Sequence, residues 1–300
     1  MGICDGRVVV VTGAGRGLGR AYAMAFAEAG ASVVVNDLGG GMFGGGQDQS
    51  PADSVVAEIK AAGGKAVSNH DDVADWEGAK RIIATAVETF GDLHAVVNNA
   101  GIIRLVPFEE ETLDNWDLTQ RVHLRGSFCV GRHAVDHWRK QHETGKAVTG
   151  RIINISSGAG LQGGEHESAY STAKAGLAAL TLVQAHELGK YGITANAIAP
   201  TARTRMTEEY WPQHIGKPNH GFDFMDPANV APTLVWLGSE QSSHVTGCVF
   251  EVGGGMIALE DGWQLGPSVD IQRKWDPAEV GPAVGALLSR RRPPRPVWTN

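Results

Sequence analysis

Tyr170-Ser171-Thr172-Ala173-Lys174 sets a phenol and an ammonium four residues apart, which on a helix is one face. Free tyrosine ionises at a pKa of about 10, too high for a good base at neutral pH. A nearby cation favours the phenolate, so Lys174 is expected to lower the Tyr170 pKa and make it a usable acid/base. Tyrosine and lysine meet at this spacing in many helices by chance. Ser156-Ser157, ending an apolar run thirteen residues before the tyrosine, gives the pair its meaning. From there Ser157 can hydrogen-bond a substrate oxygen and steady the charge that develops on it. Ser156 suits the plainer role of a turn residue.

A second constellation stands near the start of the chain. The run Val8 to Val11 leads into Thr12-Gly13-Ala14-Gly15-Arg16-Gly17-Leu18-Gly19 and then a helical pattern from Arg20. Glycines let a backbone turn tightly against a pyrophosphate, and a helix N-terminus offers free N–H groups and a positive dipole. The next apolar run ends in Asn36-Asp37. There the Asp37 carboxylate can accept hydrogen bonds from the adenosine ribose and repel a 2′-phosphate, or simply form a turn. Arg16 pulls the other way, since an arginine can pair with a 2′-phosphate. With Asp37 in the same neighbourhood, NAD is expected over NADP.

These groups need a scaffold that brings them together. Val8 to Val11, Val33 to Val35, Ala95 to Val97, Ile152 to Ile155, Thr194 to Ile198 and Val249 to Val252 read as strands covered on both faces. Arg20 to Ala29, Ala52 to Ala62, Trp76 to Phe90, Asn115 to His142 and Ala169 to Tyr191 read as helices, several ending at glycine. The alternation predicts an α/β fold, a single doubly wound parallel sheet of Rossmann type, with its site at the carboxyl ends of the strands.

The motifs in this order resemble the short-chain dehydrogenase/reductase family, over roughly residues 6 to 256. The family's nucleotide motif, Thr-Gly-x-x-x-Gly-x-Gly, matches Thr12, Gly13, Gly17 and Gly19. The resemblance implies transfer of a hydride between nicotinamide and a hydroxyl or ketone carbon. In that reaction Tyr170 is the acid/base, Ser157 holds the oxygen, and Lys174 also bonds the nicotinamide ribose. It implies that Asp72 and Val73 border the adenine, and that Asn98, Asn99, Ala100 and Gly101 support the central sheet and the cofactor. Pro200 and Thr204 would hold the nicotinamide carboxamide; Thr201 stands where the family usually has glycine. His123, in Val122-His123-Leu124-Arg125-Gly126, takes the place of a common asparagine that anchors a relay water. It either holds that water or packs.

Within the family the chain is similar to the (3R)-hydroxyacyl-CoA dehydrogenase units of peroxisomal multifunctional enzymes of type 2. Val35-Asn36-Asp37-Leu38-Gly39-Gly40, Arg121 to Phe128 and Phe250-Glu251-Val252-Gly253 carry this likeness, His123 included. It implies oxidation of a 3-hydroxyacyl-CoA. Hydroxysteroids, xenobiotic alcohols and acyl-carrier thioesters are other substrates open to the same chemistry, and a nucleotide sensor without catalysis is the non-enzyme reading. Family likeness also implies a homodimer or homotetramer.

Bulk properties exclude other classes. A net charge of -7 gives no electrostatic reason to expect nucleic acid or an anionic membrane. No apolar run approaches the ~20 residues of a membrane span. Three scattered cysteines make no disulfide framework or zinc site, and no metal is expected. His133 and His137 lie four apart but without a third ligand. With no secretory pattern at the N-terminus, a cytoplasmic location is expected. Residues 1–264 read as the dehydrogenase unit, with 201–229 as a lid over substrate and 265–300, with its arginines, as an extension. Gly39 to Ser50 reads as a flexible surface loop.

Overall fold

Four successive valines leave no polar face, because alternate strand side chains point opposite ways and both sides need cover. In the computed structural model, which describes residues 2–41, 43–210 and 215–292, β1 (Val8–Thr12) is interior to the sheet. It lies between β2 (Ser32–Asn36) and β4 (Ala95–Asn98), parallel to both. Val9 and Val11 pack with Tyr22 and Phe26 in one core. Val8 and Val10 pack with Ile82, Ile83 and Trp138 in the other.

The remaining strands are β3 (Lys65–Asn69), β5 (Arg151–Ile155), β6 (Thr194–Thr201), β7 (Val249–Gly253) and β8 (Met256–Glu260). The sheet order is β3-β2-β1-β4-β5-β6-β7-β8, parallel until β8 turns back antiparallel along β7. One face is covered by α1 (Gly17–Glu28), α2 (Ser50–Ala61) and α9 (Ala231–Gly238). The other is covered by α3 (Trp76–Phe90) and α5 (Gly126–Glu143). The strand order reverses between β1 and β4, and a doubly wound sheet opens a crevice at that point, at the carboxyl ends of its strands.

Several elements differ from the expectation. The edge strand β3, Lys65-Ala66-Val67-Ser68-Asn69, has only two apolar residues, too few to mark it as buried. β8 lies on the opposite edge with Met256, Ile257 and Leu259 exposed. The long helix expected from Asn115 is two, α4 (Leu113–Gln120) and α5, joined by a wide π-helical turn over Arg121–Arg125. That turn carries His123 at its middle. α7 (Ser168–Leu188) closes with a tight turn, Gly189–Tyr191. Four helices have no counterpart in the expectation, among them α9, and α10 (Pro277–Leu288), which buries no residue and starts with a capping box from Asp276 and Glu279. The short α6 (Gly158–Gln162) and α8 (Arg205–Tyr210) complete the order.

Candidate active site

The glycine turn after β1 is held from the neighbouring strand. Thr12 Oγ1 donates to Val97 O at 3.2 Å and accepts from the N–H groups of Asn99 and Ala100 at 3.0 and 3.1 Å. The Asn99 amide donates to Thr12 O and Gly13 O, at 2.9 and 3.1 Å. A Cβ at Gly19 would lie 2.1 Å from Gly13 O, so only glycine lets α1 start this close under the turn. At the end of β2, the Asp37 carboxylate accepts from Gly15 N at 2.8 Å and from Gly39 N at 2.7 Å. A glycine cradle opening onto a helix N-terminus, with an anchored carboxylate one strand away, fits the pyrophosphate and ribose of a dinucleotide.

Asp72 and Val73 line the same crevice. Asp72 accepts from Arg121 at 2.5 Å and from Ala74 N at 2.8 Å. At the other end, β6 runs on through Pro200 to Thr201, which pairs with Gly253 of β7. The departure at Thr201 is absorbed there, since a Cβ on Gly253 would lie 2.8 Å from Thr201 Cβ. Thr204 N donates to Thr207 Oγ1 at 2.7 Å as the chain enters α8.

Ser157 follows β5 by two residues and caps α6, its Oγ accepting from Ala159 N at 3.2 Å. Ser156 has the expected structural role: it is buried and donates to Lys174 O at 2.8 Å. Across from it, α7 presents Tyr170 and Lys174 on one face, the Lys174 Nζ 5.5 Å from the Tyr170 ring centroid. Nζ donates to Ile155 O at 2.7 Å. His123 sets its ring edge-on to Tyr170, and its Nε2 lies 2.7 Å from Ile102 O.

Burial dominates the ionisation of these groups. It pushes the Tyr170 phenol up to about 12, opposed by a hydrogen bond with Ser157 and reinforced by the Glu167 charge. It brings the Lys174 ammonium down to about 7. From the protein's own groups alone, desolvation outweighs any lowering of the phenol by Lys174, because it penalises both charged forms. Burial, then the Lys174 charge, brings His123 down to about 3.

Apart from Asn98, which is buried in the sheet against Asn154, the residues expected at the site line one cavity of about 340 Å³, within the range of small-molecule sites. Gly13, Arg16, Gly17, Leu18, Gly19, Asp37, Asp72, Val73, Asn99, Ala100 and Gly101 line the part beside the glycine turn and the loops after β2, β3 and β4. His123, Ser157, Tyr170, Lys174, Pro200 and Thr204 line the rest. His133 and His137 lie elsewhere, against Trp76 O at 3.0 Å and Asp92 at 3.2 Å.

Two features escaped the sequence reading. The Gly39 to Ser50 segment is no free surface loop: Gly40, Gly41, Gly44 and Gly45 form a wall of the cavity. Arg104 ties it down by donating to Phe43 O at 2.7 Å, and Gly44 faces Leu118. Glu167 also lines the cavity, buried, with its carboxyl raised to about 6 by desolvation against a bond from Ser171. Its place three residues before Tyr170, one helical turn away, was the available signal. Trp211 and Pro212 of the expected lid lie outside the described residues.

A family model described as short chain dehydrogenase matches residues 7–214. The chain belongs to the short-chain dehydrogenase family. Among its relatives, peroxisomal multifunctional enzyme type 2 of Mus musculus is 48% identical over 253 residues, covering 84% of this chain and 32% of that enzyme. The hydroxyacyl-CoA dehydrogenase ChsB1 of Mycobacterium tuberculosis is 38% identical over 296 residues, covering 96% of this chain and 90% of its own. A crystal structure of a short chain dehydrogenase from Mycobacterium avium has 53% identity and a TM-score of 0.89, covering 100% of both chains. The chain thus spans about a third of the length of the multifunctional mouse relative. Membership makes this protein an oxidoreductase of CH–OH groups that works with a nicotinamide cofactor on a small-molecule substrate. Among the described residues no helix is long and apolar enough to cross a membrane.

Proposed function

We propose that this dehydrogenase uses NAD to oxidise a (3R)-3-hydroxyacyl-CoA to its 3-oxo form. The observation that carries this reading is the shared cavity in which Ser157, Tyr170 and Lys174 face the glycine cradle and Asp37. In this reading Gly13, Gly17, Leu18 and Gly19 hold the pyrophosphate, Arg16 and Asp37 border the adenosine ribose, and Asp72 and Val73 the adenine. Asn99, Ala100, Gly101, Pro200 and Thr204 enclose the nicotinamide end, and Lys174 bonds its ribose. When bound, the oxidised nicotinamide supplies the hydride acceptor. Ser157 hydrogen-bonds the substrate oxygen, and Tyr170 takes the hydroxyl proton. Lys174 Nζ, already donating to Ile155 O, orients the phenol and favours its phenolate while protonated. His123 lies beside Tyr170, and its Nδ1, with no partner among the described residues, can hydrogen-bond a relay water.

The acyl-CoA substrate is supported by relatives whose names specify hydroxyacyl-CoA dehydrogenation and peroxisomal multifunctional enzymes. Residues 1–264 are read as the dehydrogenase unit and 265–300 as an extension. The segment 201–229 is read as a lid, with Arg203 at its base paired to Asp223. Exposed Phe128, Leu182 and Val183 on α5 and α7 support a homodimer or homotetramer. Three free cysteines, two of them buried, fit a reducing compartment, the cytoplasm.

The test is NADH formation by purified protein given NAD and a (3R)-hydroxyacyl-CoA, its 3S epimer or a hydroxysteroid. Selective turnover of the 3R thioester is expected. Turnover of the steroid alone, or of none of the three, would overturn the acyl-CoA assignment and leave the family standing.

A further inference from the structure

Arg16 lines the cavity at its Asp37 end, and a guanidinium there is the group that a cofactor's 2′-phosphate would seek. It is already engaged. The chain leaves Asp37 through Gly39, whose φ of +76° and whose missing Cβ let Asp48 cross close over it. A Cβ on Gly39 would lie 1.7 Å from Asp48 O. This crossing returns the glycine-rich segment to Arg16. Asp48 Oδ1 accepts from Ser50 N at 3.0 Å, while Oδ2 lies 3.5 Å from an Arg16 Nη. Asp37, on the other strand end, accepts from the backbone of Gly15, next to the same arginine.

We infer that Asp48 is a specificity-determining residue for the dinucleotide: it occupies Arg16 and adds a second negative charge where a 2′-phosphate would sit. The inference rests on the NAD reading above. It extends discrimination beyond the single carboxylate at the end of β2 to the loop that follows. The hydrogen bond from Ser50 favours the charged carboxylate and holds its pKa below the usual value, so the charge persists through the neutral range.

Calorimetric titration of the purified protein with NADH and with NADPH tests this without any substrate. The wild-type protein is expected to bind NADH more tightly. Asp48→Asn keeps an oxygen for Ser50 N but removes the charge; it should tighten NADPH binding about tenfold and leave NADH within about twofold. Asp48→Ala should do the same, and adding Arg16→Ala to Asp48→Asn should abolish the gain. An unchanged NADPH affinity in Asp48→Asn, or a gain that survives loss of Arg16, would overturn the inference alone. A wild-type protein that binds NADPH as tightly as NADH would overturn it together with the NAD reading.

Discussion

His123 meets Tyr170 edge to face, with ring centroids 5.3 Å apart and an interplanar angle of 88°. Its Nε2 lies 2.7 Å from Ile102 O and 3.1 Å from Ile102 N, while Nδ1 is buried with no hydrogen-bond partner among the described residues. A neutral ring suits that place; a charged one does not. With a folded pKa of about 3 and an unfolded one of about 6.5, the unfolded chain binds the extra proton between those values. Stability from this site is therefore intact above about pH 6.5 and falls as the pH drops, by about 2 kcal/mol at pH 5. Replacing His123 by Asn removes the titrating group, so its urea midpoint should fall less between pH 7.5 and pH 5 than the wild type's. Equal losses in the two proteins would show that His123 is not held neutral.

Tyr170→Phe keeps the ring against His123 and Lys174 and deletes only the O–H. Turnover should fall about a thousandfold or more, while NADH affinity by calorimetry stays at the wild-type value. Lys174→Met should behave differently. It loses the bond to Ile155 O and the group assigned to the nicotinamide ribose, so both turnover and NADH affinity should drop. Matching phenotypes for the two variants would mean that the roles have not been separated correctly.

The residues that sequence could place are those whose chemistry is local. The valine runs, the glycine turn and the Tyr170–Lys174 spacing each declare themselves within a few residues, and all converge on the one cavity. What escaped depends on distant contacts. Gly39 to Ser50 is polar and glycine-rich, which usually means a free loop, yet Arg104 and Leu118 draw it over the cavity. β3 forms because β2 offers it a ladder from Ser32 to Asn36, in spite of its own Lys, Ser and Asn. The desolvation of Tyr170 and Lys174 is hidden for a related reason: spacing shows that the two groups are near, but only the packing shows that both are buried.

Asp92, just before β4, gathers the end of α5 and the loop after it. Its carboxylate accepts from Lys146 Nζ and Gln141 Nε2, each at 2.6 Å, from Leu93 N at 2.8 Å, and lies 3.2 Å from His137 Nε2. Partial burial alone would raise its pKa, but these donors hold it well below the usual carboxylate range. The stability it contributes is present above the unfolded value of about 4 and is lost as the pH falls through the lower folded value. Asp92→Ala should cost about 2 kcal/mol at pH 7, and the gap from wild type should narrow steadily below about pH 4. Denaturant titrations at several pH values measure both. A gap that is constant down to pH 2 would point to packing rather than charge.

Gly19→Ala probes the cradle itself. The added methyl would lie 2.1 Å from Gly13 O and 2.6 Å from Asn99 Nδ2. Neither can simply step aside, because Asn99 Nδ2 is bonded to both Thr12 O and Gly13 O. The turn must therefore move away from α1, costing about 1–3 kcal/mol of stability and displacing the N–H groups assigned to the pyrophosphate. NADH affinity should weaken at least about tenfold, the effect of 1.4 kcal/mol lost from binding. Gly255→Ala is the control: its Cβ would meet no heavy atom within 4 Å, and both stability and affinity should stay at wild-type values. If Gly19→Ala binds NADH normally, the dinucleotide does not sit on this turn. A loss shared equally by the control would trace instead to the general fragility of the fold.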